Sequence, residues 1–194
     1  MIAGLQGVVE SLGGDYAIIN VGGVGFRVYM PTSVLSTLGK AGEEVKVYTH
    51  LHVKDDDLSL YGFGSADELT LFETLIGVSG LGPRLALAML SSLTVDQLTI
   101  AIATGSTDLL TTVPGIGRKV ADRLVLELKD KIGAGLIATP AAQIAQENTD
   151  VLAALTSLGY SVAEASRAVT TLPAASDLSI EERIKLALQY LGGK

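Results

Sequence analysis

Hydrophobic and polar residues alternate along the first third of the chain. Apolar side chains occupy most odd positions of 45–53 and the even positions of 26–30. This period of two is typical of strands with one buried face. Glycine-rich runs at 13–14 and 22–25, and a further turn near 39–43, separate the segments. About five short strands within residues 1–64 predict a small β-barrel such as the OB-fold.

Beyond residue 64 the pattern becomes helical. A serine or threonine followed three residues later by glutamate or glutamine predicts a capping box at a helix start. Such pairs are Ser65 and Glu68, Thr94 and Gln97, Ser161 and Glu164, and Ser179 and Glu182, and Ser106 is a further candidate cap. We predict a helical unit over 65–132 and a three-helix bundle over 149–194. Between them, 133–148 carries glycine and proline with few charges and predicts a linker. The fold class is therefore α+β with several domains.

Two segments of the helical region carry the same pattern, 35 positions apart. Each has a glycine–apolar–glycine turn between apolar runs, at 80–82 and 115–117. A basic residue, Arg84 or Lys119, follows two positions after the second glycine of each turn. One such turn alone is often only structural, but two copies in register favour a pair of helix-hairpin-helix motifs.

The predicted chemistry of these motifs is phosphate binding. Glycine adopts turn conformations that other residues avoid and allows another backbone to approach closely. Amides at the turn and at the start of the next helix then point outward and form an anion site. We therefore predict that the hairpins bind nucleic-acid phosphates without reading bases. The candidate residues are Gly80, Gly82, Arg84, Gly115, Gly117, Arg118, Lys119 and Arg123.

The charge of the chain opposes this prediction. The net charge is −7, and no segment is basic overall. An acidic protein binds DNA only if its cations lie at the hairpins and its carboxylates face elsewhere. Weak binding by each subunit, strengthened by several subunits acting together, is the expected consequence.

The residues give no support for an enzyme, and we expect no cofactor. The chain has no cysteine and only two histidines, His50 and His52, which offer half of a zinc site without an obvious third ligand. Ser79 lacks the final glycine of a GxSxG motif, no phosphate loop is present, and the carboxylates are scattered. The start of the chain does not resemble a secretory signal, and charged or polar residues interrupt every apolar run. We expect a soluble cytoplasmic protein without a membrane segment.

Three consecutive acids, 55–57, fall between two strand-like runs and predict the tip of a hairpin. A solvated turn is one interpretation. Calcium binding is disfavoured because the alternating ligands of an EF-hand loop are missing. Alternatively, repulsion between this tip and the DNA backbone would separate strands or exclude the wrong duplex.

Taken together, the motifs resemble one family over the whole chain: RuvA, the DNA-binding subunit of the bacterial Holliday junction branch migration complex. The matching stretches are 1–7, 21–26, 49–50, 55–56, 60–63, 80–88, 113–119 and 158–160. The resemblance implies an N-terminal OB-fold, a tandem helix-hairpin-helix domain and a mobile C-terminal three-helix domain. It further implies a homotetramer, or two tetramers forming an octamer, that holds one four-way junction open.

The resemblance also implies roles for particular residues and partners. Asp55 and Asp56 would form an acidic pin at the centre of the tetramer. The last domain would dock the hexameric ATPase RuvB, with Leu155, Leu158 and Tyr160 as candidate contacts, although each would serve equally in a core. The resolvase RuvC is a further implied partner, in DNA recombination and repair within the SOS response. Two alternatives stay open: a protein-binding scaffold whose glycine hairpins are only turns, and a structure-specific nuclease, which the missing carboxylate cluster opposes.

Overall fold

The computed structural model describes residues 1–54, 57–133, 140–173 and 178–192. Its strands are β1 (Gly4–Leu12), β2 (Tyr16–Val21), β3 (Val24–Tyr29), β4 (Glu44–Lys54) and β5 (Asp57–Phe63). They close into a barrel in the order β1-β2-β3-β5-β4. Every neighbouring pair is antiparallel except β3 with β5, which is parallel. The predicted OB-fold is confirmed.

The alternating residues fill the barrel as expected. Val28, Val47 and Leu60 lie in its core. Thr49, the one polar member of the alternating run in β4, is also buried, and its hydroxyl donates to the Ile2 carbonyl at 2.8 Å. The hydrogen bond removes the cost of burying that hydroxyl.

A short helix, α1 (Thr32–Thr37), joins β3 to β4 and was not predicted. Its serines and threonines carry no periodic apolar pattern, and only Val34 is buried. The Ser33 hydroxyl donates to the Leu90 carbonyl at 3.4 Å, and the Ser91 hydroxyl accepts from the Thr32 amide at 3.1 Å. These contacts tie the barrel to the helical region.

The remaining helices are α2 (Ala66–Ile76), α3 (Pro83–Ser92), α4 (Val95–Thr104), α5 (Thr107–Leu110), α6 (Arg118–Gly133), α7 (Pro140–Ser157), α8 (Val162–Thr170) and α9 (Ile180–Gly192). All four predicted capping boxes are formed. Ser106 does occupy the N-cap position of α5, but its side chain makes no capping hydrogen bond. The helix that it precedes is only one turn long.

One continuous core joins β5 to helices α2 to α6. Phe72 of α2 lies at the contact, with its ring centroid 4.8 Å from that of Phe63 and 5.2 Å from that of Tyr61. Aromatic pairs at these distances add to the stability gained by burying the rings. The hairpins between these helices therefore hold a fixed position relative to the barrel.

Within the described residues, no single helix is long and apolar enough to cross a membrane. Helices α3 and α4 meet the length and composition criteria only as a pair, and they are bent by 105° at the break between them. Ala86, Met89 and Ile102 of this pair are buried in the core.

Part of the segment predicted as a linker, 133–148, is helical in the structure. Helix α7 begins at Pro140, so the second half of the predicted linker is helical, and residues 134–139 lie outside the described part of the chain. Proline fits the first turn of a helix, and the alanines and glutamines that follow favour helix. Because the segment also contains glycine and proline, its sequence pattern predicted a linker at this helix start.

Helices α7, α8 and α9 form the predicted C-terminal three-helix bundle. Val151, Leu155 and Ala187 are among its core residues. The core also holds a charged side chain, Arg183, which is 1% exposed and donates to the Asn148 side-chain oxygen. Helix α7 packs against α4 as well as against α8 and α9.

Candidate nucleic-acid interface

The two glycine turns have the same local structure. In the first, the Leu81 amide donates to the Val78 carbonyl at 3.0 Å. In the second, the Ile116 amide donates to the Val113 carbonyl at the same distance, 3.0 Å. Both apolar residues at the tips of the turns, Leu81 and Ile116, are buried. The 35-residue repeat in the sequence is therefore a repeat in the structure.

Each turn leads directly into a helix. The Gly82 carbonyl accepts from the Ala86 amide at 3.1 Å, and the Gly117 carbonyl accepts from the Ala121 amide at 3.0 Å. These are the first bonds of α3 and α6. The helix N-terminus, with its positive end of the peptide dipoles, therefore begins at the second glycine of each turn.

The first glycine of each turn has a backbone conformation that favours glycine. Gly80 has a φ of 86° and Gly115 a φ of 89°, in the left-handed region. Gly82 and Gly117 have no such φ, and a Cβ added to either would meet nothing within 4 Å. The first glycine therefore makes the turn, and the second leaves open space beside the helix start.

The four glycines of the two turns lie at the surface of the protein. Gly80, Gly82, Gly115 and Gly117 are all exposed. Among the described residues, none of their N–H groups has a hydrogen-bond acceptor. Outward-facing amides next to a helix N-terminus are a site for an anion such as a phosphate.

The four candidate cations differ in their surroundings. Arg84 and Lys119 are exposed, and no carboxylate of the described residues lies within ion-pair distance of either. Arg118 instead places Nη1 2.7 Å from Asp108 Oδ1, and its Nε lies 3.7 Å from Asp122 Oδ1. All three side chains are exposed, so these ion pairs are weak surface contacts that compete with a phosphate for the Arg118 guanidinium.

Arg123 has a third kind of environment. It is exposed, and its Nη1 donates to the backbone carbonyl of Ser79 at 2.9 Å. Sequence reasoning treated Arg118 and Arg123 as simple phosphate ligands and missed both Asp108 and Ser79. No spacing rule would reveal these contacts, since each crosses from one element to another.

Arg84 also lies next to the barrel. Burial raises the pKa of Tyr61, while a side-chain hydrogen bond with Ser59 and the nearby Arg84 charge act in the opposite direction. The first hairpin is thus adjacent to strand β5, on which the predicted acidic tip is built.

The predicted pin residues, Asp55 and Asp56, lie outside the described residues. The strands on either side are well defined, and their last two pairs are Val53 with Leu58 and Lys54 with Asp57. Asp57 is the first residue of β5, and its carboxylate accepts a hydrogen bond from the Ser59 hydroxyl at 2.6 Å. It therefore belongs to the strand.

The two histidines of β4 are packed against the barrel and α2. His50 lies with its Nδ1 2.9 Å from Glu73 Oε1, and its ring centroid is 5.6 Å from that of Phe72. Among the described residues, no three potential ligands form a metal site. The nearby Nε2 of His52 is buried without a hydrogen-bond partner.

The candidate partner contacts in the C-terminal bundle differ in their exposure to solvent. Leu155 is fully buried in the core, so it presents no surface to a partner. Tyr160 is half-buried against the same core. Leu158, in contrast, is 61% exposed, and so is Val162 at 65%, which the sequence analysis did not single out.

Comparison with known proteins places the whole chain in one group. Residues 1–62 match the model of the RuvA N-terminal domain, residues 72–130 a SAM-like tandem helix-hairpin-helix, and residues 146–192 the RuvA C-terminal domain. Relatives named Holliday junction branch migration complex subunit RuvA are 52% identical in Dehalococcoides mccartyi and 48% in Herpetosiphon aurantiacus, each over 100% of both chains. A relative of the same name in Chloroflexus aggregans is 46% identical over 99% of both chains.

An OB-fold barrel joined to two solvent-facing helix-hairpin-helix turns defines a class of DNA-binding proteins. The identities and their full coverage specify the family within that class. This chain belongs to the RuvA family.

The different conformations of the two glycines predict different responses to alanine. We expect Gly115→Ala to destabilise the fold by about 1–2 kcal/mol, because its φ is strained for alanine. The new Cβ would also lie 2.8 Å from Leu85 Cδ2. We expect Gly117→Ala, the matched control, to leave Tm unchanged. Thermal unfolding of both variants checks this, and an equal loss in the two would contradict the assignment of their roles.

Proposed function

We propose that this protein binds four-way DNA junctions as the non-catalytic, DNA-binding subunit of a branch migration complex. The observation that carries the proposal is the pair of equivalent turns with exposed glycines whose amides have no acceptor among the described residues. The name of its relatives, Holliday junction branch migration complex subunit RuvA, supports the same function.

Binding of this kind does not read base sequence, so it distinguishes DNA molecules by their shape. Backbone amides and the side chains of Arg84 and Lys119 bind phosphates, which position a protein on DNA but carry no sequence information. Each chain offers two such sites that are related by the internal repeat. A four-way junction presents several duplex arms at fixed angles, so several copies of the chain bind it together.

The net charge of −7 makes this cooperation necessary. A single acidic chain with few free cations binds a phosphate backbone weakly. Linking several weak sites in one assembly raises the overall affinity without any new contact. We propose a homotetramer with one chain for each arm, and two tetramers on opposite faces form an octamer.

The tip of the β4–β5 hairpin supplies the selectivity in this proposal. Asp55 and Asp56 follow directly on Lys54, the last residue of β4. Four such acidic tips at the centre of a tetramer would repel phosphates where the arms meet. Strands would then be held apart at the crossover, and a continuous duplex would bind less well.

We further propose that the C-terminal bundle docks the ATPase motor RuvB, which supplies the energy for branch migration in recombination and repair. Leu158 and Val162, the most exposed of the large apolar side chains described in this bundle, support this contact. The resolvase RuvC would bind the same junction assembly in the cytoplasm.

The direct test compares a four-way junction with a linear duplex of the same arm sequence, over a series of salt concentrations. We expect preferential junction binding that weakens steeply with salt. Replacing Arg84 and Lys119 together with glutamine should make the slope of log affinity against log salt shallower by about 2 for each chain bound. No measurable affinity for either DNA would favour the protein-binding scaffold, and magnesium-dependent cleavage would favour a nuclease.

Neutralising the acidic tip should change selectivity. We expect Asp55→Asn with Asp56→Asn to raise duplex affinity relative to junction affinity, because the repulsion at the centre is removed. Asp57→Asn is the matched control, since Asp57 already accepts a hydrogen bond from Ser59 within the strand. Competition between labelled junction and unlabelled duplex measures the ratio. A ratio that is the same in all three proteins would rule out the pin.

Arg118 offers a test in the opposite direction. Because Asp108 engages its guanidinium at 2.7 Å, we expect Asp108→Asn to release the cation. Junction affinity should rise by about two- to fivefold, the range expected for one surface ion pair. Asp122→Asn removes the same charge but a longer contact, 3.7 Å, and should have a smaller effect. Equal affinities for both variants and the parent would show that Arg118 does not reach DNA.

A further inference from the structure

A side-chain hydrogen bond connects the helix after the second hairpin to the first hairpin. Arg123 lies in the second turn of α6, the helix that follows the second hairpin. Its Nη1 donates to the carbonyl of Ser79, which belongs to the first hairpin, at 2.9 Å. The two residues are 44 positions apart in the chain.

A second contact runs the other way. A Cβ on Gly115, in the second hairpin, would lie 2.8 Å from Leu85 Cδ2 on α3, the helix that follows the first hairpin. A Cβ on Gly80 would lie 3.3 Å from Arg123 Nη1. Gly80 and Gly115, whose φ angles lie in the left-handed region, are thus each close to the helix that follows the other hairpin. One of these contacts is apolar, and the other depends on the arginine.

The peptide that Arg123 contacts is the one that makes the first turn. The carbonyl of Ser79 and the amide of Gly80 belong to the same planar peptide group. Holding the carbonyl on the protein side directs the N–H of Gly80 toward solvent. A charge-assisted hydrogen bond to the carbonyl also polarises the peptide and makes that N–H a stronger donor.

From this geometry we propose that Arg123 is a positioning residue, which orients the first hairpin and fixes its distance from the second. The proposal rests on the proposed function, because it concerns the spacing of the two phosphate sites. A guanidinium has five N–H donors, and only one is used on Ser79. The exposed remainder of Arg123 is free to bind a phosphate between the two hairpins.

The two roles of an arginine at a DNA interface have different signatures. A residue that only binds a phosphate contributes through counterion release, so its removal makes the salt dependence shallower. A residue that positions other ligands contributes at every salt concentration. Arg84, at the same interface but without an ion-pair partner among the described residues, is the matched control for the first role.

The test uses the full-length chain with Arg123→Gln, compared with Arg84→Gln and the parent. In both variants the salt slope should become shallower by about 1 for each chain bound. Only Arg123→Gln should also lose affinity when the plot is extrapolated to 1 M salt, by about tenfold or more, with Tm unchanged. An equal extrapolated affinity for both variants would overturn the positioning role and leave Arg123 as a phosphate ligand.

Hydrogen exchange without DNA separates this inference from the proposed function. The Leu81 amide is bonded within the first turn, so its exchange reports the order of that turn. We expect faster exchange at Leu81 in Arg123→Gln and no change in Arg84→Gln. Unchanged exchange in both variants would overturn the inference. If the parent protein fails to bind junctions while exchange at Leu81 still responds, the proposed function fails and the connection between the hairpins stands.

Discussion

The interface depends on backbone amides that the fold leaves without partners. Most buried peptide N–H groups in proteins are hydrogen-bonded, so unpaired ones must reach solvent or a ligand. In this chain they reach solvent because Leu81 and Ile116 anchor each turn in the core while the flanking glycines stay outside. The left-handed φ of Gly80 and Gly115 makes that geometry possible. Everything else at the interface, including its cations, is arranged around these two turns.

The acidic composition of the chain is compatible with an interface built on backbone amides. A protein that bound DNA mainly through side-chain charge would need a basic surface. Here the amides and helix N-termini provide part of the positive potential without adding net charge. Arg118 forms exposed ion pairs with carboxylates, and Arg123 donates to a carbonyl, so Arg84 and Lys119 are the candidate phosphate ligands without such a partner among the described residues. In the proposed function, an interface with so few cations gains its affinity from several copies of the chain acting together on one branched DNA.

Local patterns in the sequence predicted local structure well. The period-two alternation predicted the barrel, the four capping boxes predicted helix starts, and the repeated glycine turn predicted both hairpins. Features that depend on contacts between distant segments were not predictable. The ion pair of Arg118 with Asp108 and the bond from Arg123 to Ser79 exist only because the turns bring separate helices together. Helix α1 was not predictable because it carries no periodic apolar signal. The burial of Leu155 was not predictable either, because it depends on how α7 packs against its neighbours.

A structure of the chain bound to a four-way junction, determined by electron cryomicroscopy, would test the central claim most directly. If this claim is correct, phosphate oxygens will lie within hydrogen-bond distance of the amides at both turns, Gly80 to Gly82 and Gly115 to Gly117. DNA that instead contacted only the barrel or the C-terminal bundle, with these amides left in water, would contradict it.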